Sequence, residues 1–312
     1  KDAPVQRTLF EVFREHNDKC AQLSGTDMAP ATVQRYETSL KHTRDFVWET
    51  YHKKDVLLDE VSRQFIEDYE FWLKTEKKCC HNTATKYLKN FKKIIRIALA
   101  KGWMKNDPFL EIRFSLDKVE PDFLEDSEIQ KLISKEIDIP RLSQVRGIFV
   151  FCCFTGLAFS DIHGLRKEHI VEDSNGVRWI RKGRQKTKIM CNIPLMEIPL
   201  KILEKYSTNE YCKKHGVLFP VLCNQKMNAY LKELADICGI KKTLTTHVAR
   251  HTFATFALAN GVSIESVAKM LGHANVQMTR HYARVLDRTV IREMSQIKMD
   301  FHFPFNKDDS SV

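Results

Sequence analysis

No apolar run in this 312-residue sequence approaches the ~18 residues that a membrane-spanning helix needs, so a soluble chain without a membrane partner is expected. No Cys-x-x-Cys pair occurs and no Cys/His cluster has zinc-finger spacing, so no structural metal is expected. The nine cysteines are odd in number, and Cys79-Cys80 and Cys152-Cys153 are immediate neighbours, which makes a poor disulfide framework. A reduced, intracellular setting is the expectation, with Cys79-Cys80-His81 as a loop. The chain opens at Lys1 with neither a methionine nor a signal segment, which reads as a fragment of something longer. Acidic residues are missing from the whole stretch between Glu76 and Asp107.

What is present is a globular mixture, 43% hydrophobic and 29% charged. Fifty Lys and Arg against forty Asp and Glu leave a net charge of +10, a field that attracts polyanions such as nucleic acid. Because single cores stop growing near ~250 to 300 residues, two domains are expected.

The first third reads as four helices, from Thr8 to Leu23, Thr32 to Tyr51, Val61 to Lys74 and Thr83 to Lys101. In the second, Val33, Tyr36, Leu40, Thr43 and Val47 recur at helical spacing behind Thr32 as N-cap. The fourth places Lys86, Lys89, Lys93 and Arg96 on one stripe, with Leu88, Phe91, Ile95 and Ala98 opposite. Facing out, each cation could neutralise a DNA phosphate and release its counterion; the alternative is an ordinary solvated face. The segment from Asn106 to Glu125 has two prolines and little periodicity, so a domain boundary is expected near residue 118, giving domains 1–118 and 119–312.

Beyond it the pattern is mixed: a helix from Asp126, an apolar helix through Arg146 to Leu157, then a strand hairpin from Val177 to Ile193, and helices again from Leu195. Asp173-Ser174-Asn175-Gly176 and Lys182-Gly183 supply turn chemistry. The predicted fold class is mainly α: a helical domain followed by a mixed α+β domain, mostly helical, with a small three-stranded sheet.

Within the second domain, His247 and Arg250 stand three apart and share a helical face, where they can converge on one anion. Arg250 would hold two non-bridging phosphate oxygens, with His247 beside it. Ser263 caps a helix that Gly272 ends, which puts His273 on a rigid corner. Nine residues on, Tyr282 is flanked by basic groups that favour negative charge on an attacking oxygen.

This order of His247-x-x-Arg250, Leu271-Gly272-His273 and Tyr282 resembles the tyrosine recombinase (phage integrase) family, with Tyr282-Ala283-Arg284-Val285 and Thr155-Gly156-Leu157 in place as well. The likeness is close from about Leu124 to Val285 and general before residue 118, where the family has a helical core-binding domain that clamps DNA. One departure stands out: the first arginine of the family should follow Thr-Gly-Leu, but Ala158 is there. An uncompensated loss of such a donor costs a rate factor of ~100 to 1000. Two replacements are available. Arg184, two residues before Lys186 on an expected strand, would project from the same face as that lysine; similar Arg-x-Lys hairpins accompany the arginine-less box in some conjugative-transposon integrases. Arg146, on the preceding helix, is the second choice.

The resemblance implies a site-specific DNA recombinase, the integrase or excisionase of a mobile element. Tyr282 would attack the scissile phosphate and form a 3′-phosphotyrosine. Arg250 and the substitute arginine would stabilise the added charge, Lys186 would protonate the leaving 5′ oxygen, His247 would assist deprotonation of Tyr282, and His273 would hydrogen-bond a phosphate oxygen. Asp161 would support this shell. No cofactor or metal is implied. The implied partners are double-stranded DNA, three further copies in a tetramer, and accessory DNA-bending or directionality proteins, in a bacterial cytoplasm beside the nucleoid. A segment before Lys1 would bind arm-type DNA sites. The apolar tail, with Val290, Ile291, Met294, Ile297, Met299, Phe301, Phe303 and Phe305, would pack on a neighbouring copy or fold back on its own domain. Alternatives are a DNA-binding architectural protein that lost its chemistry with the arginine, and a type IB topoisomerase; the Leu-Gly-His box favours a recombinase.

Overall fold

The computed structural model describes residues 6–282 and 294–295. Two compact units divide the chain, Lys1–Val119 and Glu120–Val312. As the sequence predicts, the described residues are mainly helical with one small antiparallel sheet. Among them, no helix is long and apolar enough to cross a membrane.

The first unit holds α1 (Leu9–Gln22), α2 (Pro30–Tyr51), α3 (Arg63–Thr75) and α4 (His81–Ala100). Thr8 and Glu11 cap α1 reciprocally, each side chain accepting from the other's N–H, an arrangement that stabilises by about 1 kcal/mol. The second helix begins earlier than a Thr32 cap requires. Pro30 takes its first position, where the fixed φ suits a helix and the missing N–H costs nothing. Likewise Cys79 and Cys80 lie in the loop before α4, as expected, but His81 is already the first residue of that helix.

Phe46, Phe65, Tyr69, Trp72 and Phe91 fill this unit's core. Phe46 meets Phe65 edge-on at 5.1 Å, a geometry that adds about 0.5–1.5 kcal/mol beyond area burial. Leu88, Phe91, Ile95 and Ala98 of α4 are buried there, while Lys86, Lys89, Lys93 and Arg96 are exposed. One of the four is already engaged: Lys93 Nζ donates to the Tyr36 hydroxyl at 2.9 Å.

In the second unit come α5 (Asp126–Ser134), α6 (Pro140–Thr155), α7 (Phe159–His163), β1 (Ile170–Glu172), β2 (Arg178–Gly183), β3 (Met190–Pro194), α8 (Glu197–Tyr206), α9 (Glu210–His215), α10 (Asn224–Ile237), α11 (Thr246–Ala259), α12 (Ile264–Leu271) and α13 (Gln277–Arg280). Apolar on nearly every side, α6 can be satisfied only in the middle, and it packs against α8, α10 and α11. It stops at Thr155, because Gly156 takes a left-handed φ of 67° that ends the helix before Leu157.

The sheet has the order β1-β2-β3, and the Ile180–Ile193 pair of β2 and β3 points into the core. Lys182-Gly183 does not form a turn: both residues pair within β2, opposite Cys191 and Met190. The turn lies beyond, so Arg184 and Lys186 are turn residues, and strand alternation does not orient them. Placement by the rest of the fold decides where each goes.

Candidate active site

Arg250 is the anchor. Thr245 caps α11, which is buried along most of its length and carries Arg250 in with it, at 2% exposure. Burying a cation is costly unless its donors are used. Nη1 donates to the Gly156 carbonyl at 2.7 Å, and Nη2 donates to the Leu271 carbonyl at 2.7 Å and to His273 Nε2 at 3.0 Å. These hydrogen-bond partners are neutral, so the positive charge is solvated by dipoles but not cancelled. Burial, then the neighbouring Arg184, lower the pKa of the guanidinium, while Tyr282, Cys191 and Asp161 raise it.

Gly156 supplies its carbonyl because only glycine fits there. A Cβ would sit 2.4 Å from a ring carbon of Phe253, and the backbone is left-handed. Gly272 is constrained in the same way. It ends α12 at φ 60°, and a Cβ would lie 2.7 Å from Cys191 Sγ and 2.8 Å from Arg184 Cδ.

Just past that glycine, the His273 N–H closes back on the Ala268 carbonyl at 3.0 Å. Its ring spans two partners, Arg250 Nη2 at Nε2 and the Thr279 hydroxyl at Nδ1, 2.8 Å away. Burial, then Arg250 and Arg184, push the imidazole pKa down to about 4, so the ring is neutral at pH 7. Tyr282 stacks near it, with ring centroids 5.9 Å apart and planes 13° from parallel. On its other side Tyr282 meets His251 at 4.9 Å, and His251 meets His247 edge-on at 4.4 Å. His247 stands at the solvent edge. Desolvation, followed by the charges of Arg250, Arg184 and Lys186, lowers its pKa.

Arg184 joins the cluster and Arg146 does not. Asp161, 1% exposed on α7, accepts from Arg184 Nε at 3.4 Å and from the Gln185 N–H at 2.9 Å. Since Ala158 caps that same helix, the ion pair brings the Arg184 guanidinium to the box that lacks an arginine. Arg146 instead donates to the Leu132 and Lys135 carbonyls at the end of α5. Its charge is felt at Tyr206 and Cys238. The structure thus places the second-choice Arg146 with its donors on a helix terminus. Lys186 is exposed on the turn, near enough to act on His247.

Three contributors were not singled out from the sequence, two of them because no signal marks them. Thr279 has no motif spacing to His273, and the carbonyl of Gly156 is invisible in any residue type. His251 is the exception, since its i,i+4 spacing from His247 marks a shared face. Ala283-Arg284-Val285 and the apolar tail lie outside the described residues, except Met294, which is exposed. Among the described residues, no three His, Cys, Asp or Glu side chains gather to hold a metal ion. The arrangement offers a surplus of positive charge, neutral imidazoles and one phenol: a site for an anionic electrophile.

Comparison with known proteins agrees with that chemistry. Residues 122–289 match the model of the phage integrase family, and residues 8–116 match that of the phage integrase SAM-like domain. The tyrosine recombinase XerD of Oceanobacillus iheyensis is 26% identical over 266 residues, covering 81% of this chain and 87% of the relative. In fold, the chain is similar to a lambda integrase dimer bound to a COC' core site, with a TM-score of 0.72, 17% identity and coverage of 90% of this chain and 97% of the other. It is also similar to the Tn1549 transposon integrase in complex with a circular intermediate DNA, with a TM-score of 0.69, 16% identity and coverage of 93% and 99%.

Proposed function

This chain belongs to the phage integrase family of tyrosine recombinases, enzymes that break and rejoin DNA, and from that premise we propose that Tyr282 is its nucleophile and Arg184 its substitute for the arginine absent at Ala158. The observation that carries the reading is the meeting of Tyr282, His273 and Arg250 around an uncancelled positive charge.

In this mechanism the Tyr282 oxygen attacks the scissile phosphorus and its proton passes to His247, whose lowered pKa keeps it neutral and able to accept. Arg250 and Arg184 hold the non-bridging oxygens as charge builds on them. His273, its Nε2 accepting from Arg250, holds that guanidinium in place for the phosphate. The P–O5′ bond breaks, Lys186 gives the 5′ oxygen a proton, and a 3′-phosphotyrosine remains. Attack by another 5′ hydroxyl runs the step backwards and joins the new strand. The bond energy is conserved, so the cycle calls for no metal or nucleotide.

The test is a nicked suicide substrate, from which the cleaved end diffuses away. Covalent trapping is the expected result. Tight binding without trapping would replace the reading by a DNA-binding protein that lost its chemistry with the arginine, and relaxation of supercoils without strand exchange would replace it by a type IB topoisomerase.

The finer assignment is an integrase or excisionase of a mobile element, of the conjugative-transposon kind that lacks the first arginine, working in a bacterial cytoplasm on double-stranded DNA with accessory bending or directionality proteins. The Arg184–Asp161 pair on the helix that Ala158 caps supports it. We assign the basic stripe of α4 to the DNA backbone. Replacing Lys86, Lys89 and Arg96 together by Ala is expected to flatten the salt dependence of DNA affinity, lowering the log–log slope by about 0.9 for each phosphate no longer neutralised. An unchanged slope in a binding titration rejects that assignment.

The apolar tail is proposed to pack on a neighbouring copy in a tetramer on DNA. An apolar groove of about 530 Å³, lined by Phe154, Phe253, Phe256, Val262 and Met270, offers a receptor of matching character. Deleting residues 290–312 is expected to remove cooperativity on DNA without removing single-site binding, as read by gel shift. Cooperative assembly that survives the deletion rejects exchange.

A further inference from the structure

We propose that Thr279 is a positioning residue that holds His273 in its Nδ1–H tautomer and ties that choice to the segment bearing Tyr282. The inference rests on the recombinase reading for its purpose but not for its geometry.

A guanidinium nitrogen can only donate, so the 3.0 Å contact from Arg250 Nη2 makes His273 Nε2 an acceptor. The ring proton of the neutral imidazole is then on Nδ1, and the Thr279 hydroxyl 2.8 Å away accepts it. In the other tautomer two N–H groups would face each other across the Arg250 contact. Thr279 is fully buried, and its own N–H is held by the Val276 carbonyl at 2.8 Å. Its carbonyl accepts the Tyr282 N–H at 2.9 Å. One residue therefore binds the phosphate-side imidazole through its side chain and the nucleophile through its backbone. Displacing Tyr282 strains the contact that orients His273, and the two halves of the site assemble together.

Thr279→Val keeps the shape and removes the acceptor, whereas Thr279→Ser keeps the acceptor. Imidazole ¹⁵N shifts of the full chain, with the His273 signals assigned from His273→Gln, report the tautomer directly. The parent and Thr279→Ser are expected to show a protonated Nδ1 and an unprotonated Nε2, and Thr279→Val to lose that pattern. Single-turnover cleavage of the nicked substrate is expected to fall about 10- to 100-fold in Thr279→Val, the effect of leaving a buried donor unpaired, and to be rescued by Ser. A merely structural role would lower stability without changing the tautomer. A parent His273 protonated at Nε2 overturns the proposal even if the Val variant fails to fold, and so does a Val variant that keeps both pattern and rate. If the pattern follows the hydroxyl in a protein that cleaves no DNA, the positioning role is supported and the recombinase reading falls.

Discussion

Tyr282→Phe is expected to eliminate covalent trapping on a nicked substrate, a loss on the order of 10⁵ to 10⁶ in rate, the scale reached when an enzyme's nucleophile is removed. The substitution is also clean. Among the described residues, Tyr282 is held by ring packing against His251 and His273 and by its backbone N–H, all of which phenylalanine retains. Its ring belongs to the small core cluster with Phe253, Val267 and Leu271, so the folded state should lose little. DNA affinity and melting temperature should therefore match the parent while the covalent adduct disappears. An adduct that persists in Tyr282→Phe, seen on a denaturing gel, would move the nucleophile elsewhere and undo the mechanism.

Arg184→Ala should slow cleavage by about 100- to 1000-fold, the usual cost of removing one preorganised donor aimed at developing charge. Arg146→Ala should cleave at close to the parent rate. It would lose two hydrogen bonds to carbonyls at the end of α5, worth about 1 kcal/mol each, and so show its effect in stability. Arg184→Ala has a structural consequence of its own, since Asp161 is buried and would lose its cation. Arg184→Lys separates the two roles. A lysine keeps a charge for Asp161 but lacks the planar fork that grips two phosphate oxygens. If Arg184 only supports Asp161, the Lys variant should recover full cleavage; if it binds the phosphate, the variant should recover stability and stay slow. Parent-like cleavage in both Arg184→Ala and Arg146→Ala would end the replacement idea altogether.

Much of the fold was legible because it follows local rules. The α4 stripe is an example: Leu88, Phe91, Ile95 and Ala98 recur at a spacing that only a helix turns into one face, and they are buried together. Boundaries were less legible. Pro30 starts α2 and Gly156 stops α6 through backbone geometry, which a search for apolar periodicity does not weigh. The hairpin misled for a related reason. Lys182-Gly183 has turn composition, yet cross-strand pairing with Cys191 and Met190 carries the strand through it.

Order and spacing along the polymer were enough to point to the family, the helical class and the basic stripe and to single out Arg250, His273 and Tyr282 as candidates, because each depends on neighbours within a few positions or on a motif read in sequence. The proposed choice between two spare arginines, and the proposed tautomer of His273, rest on contacts across long separations: Arg184 with Asp161, Arg250 with Gly156 and His273. Such contacts follow no periodicity. They exist only because α11 packs on α6 and α12 packs on α11 and β3, and the free-energy cost of an unpaired buried polar group favours the partners this packing brings near.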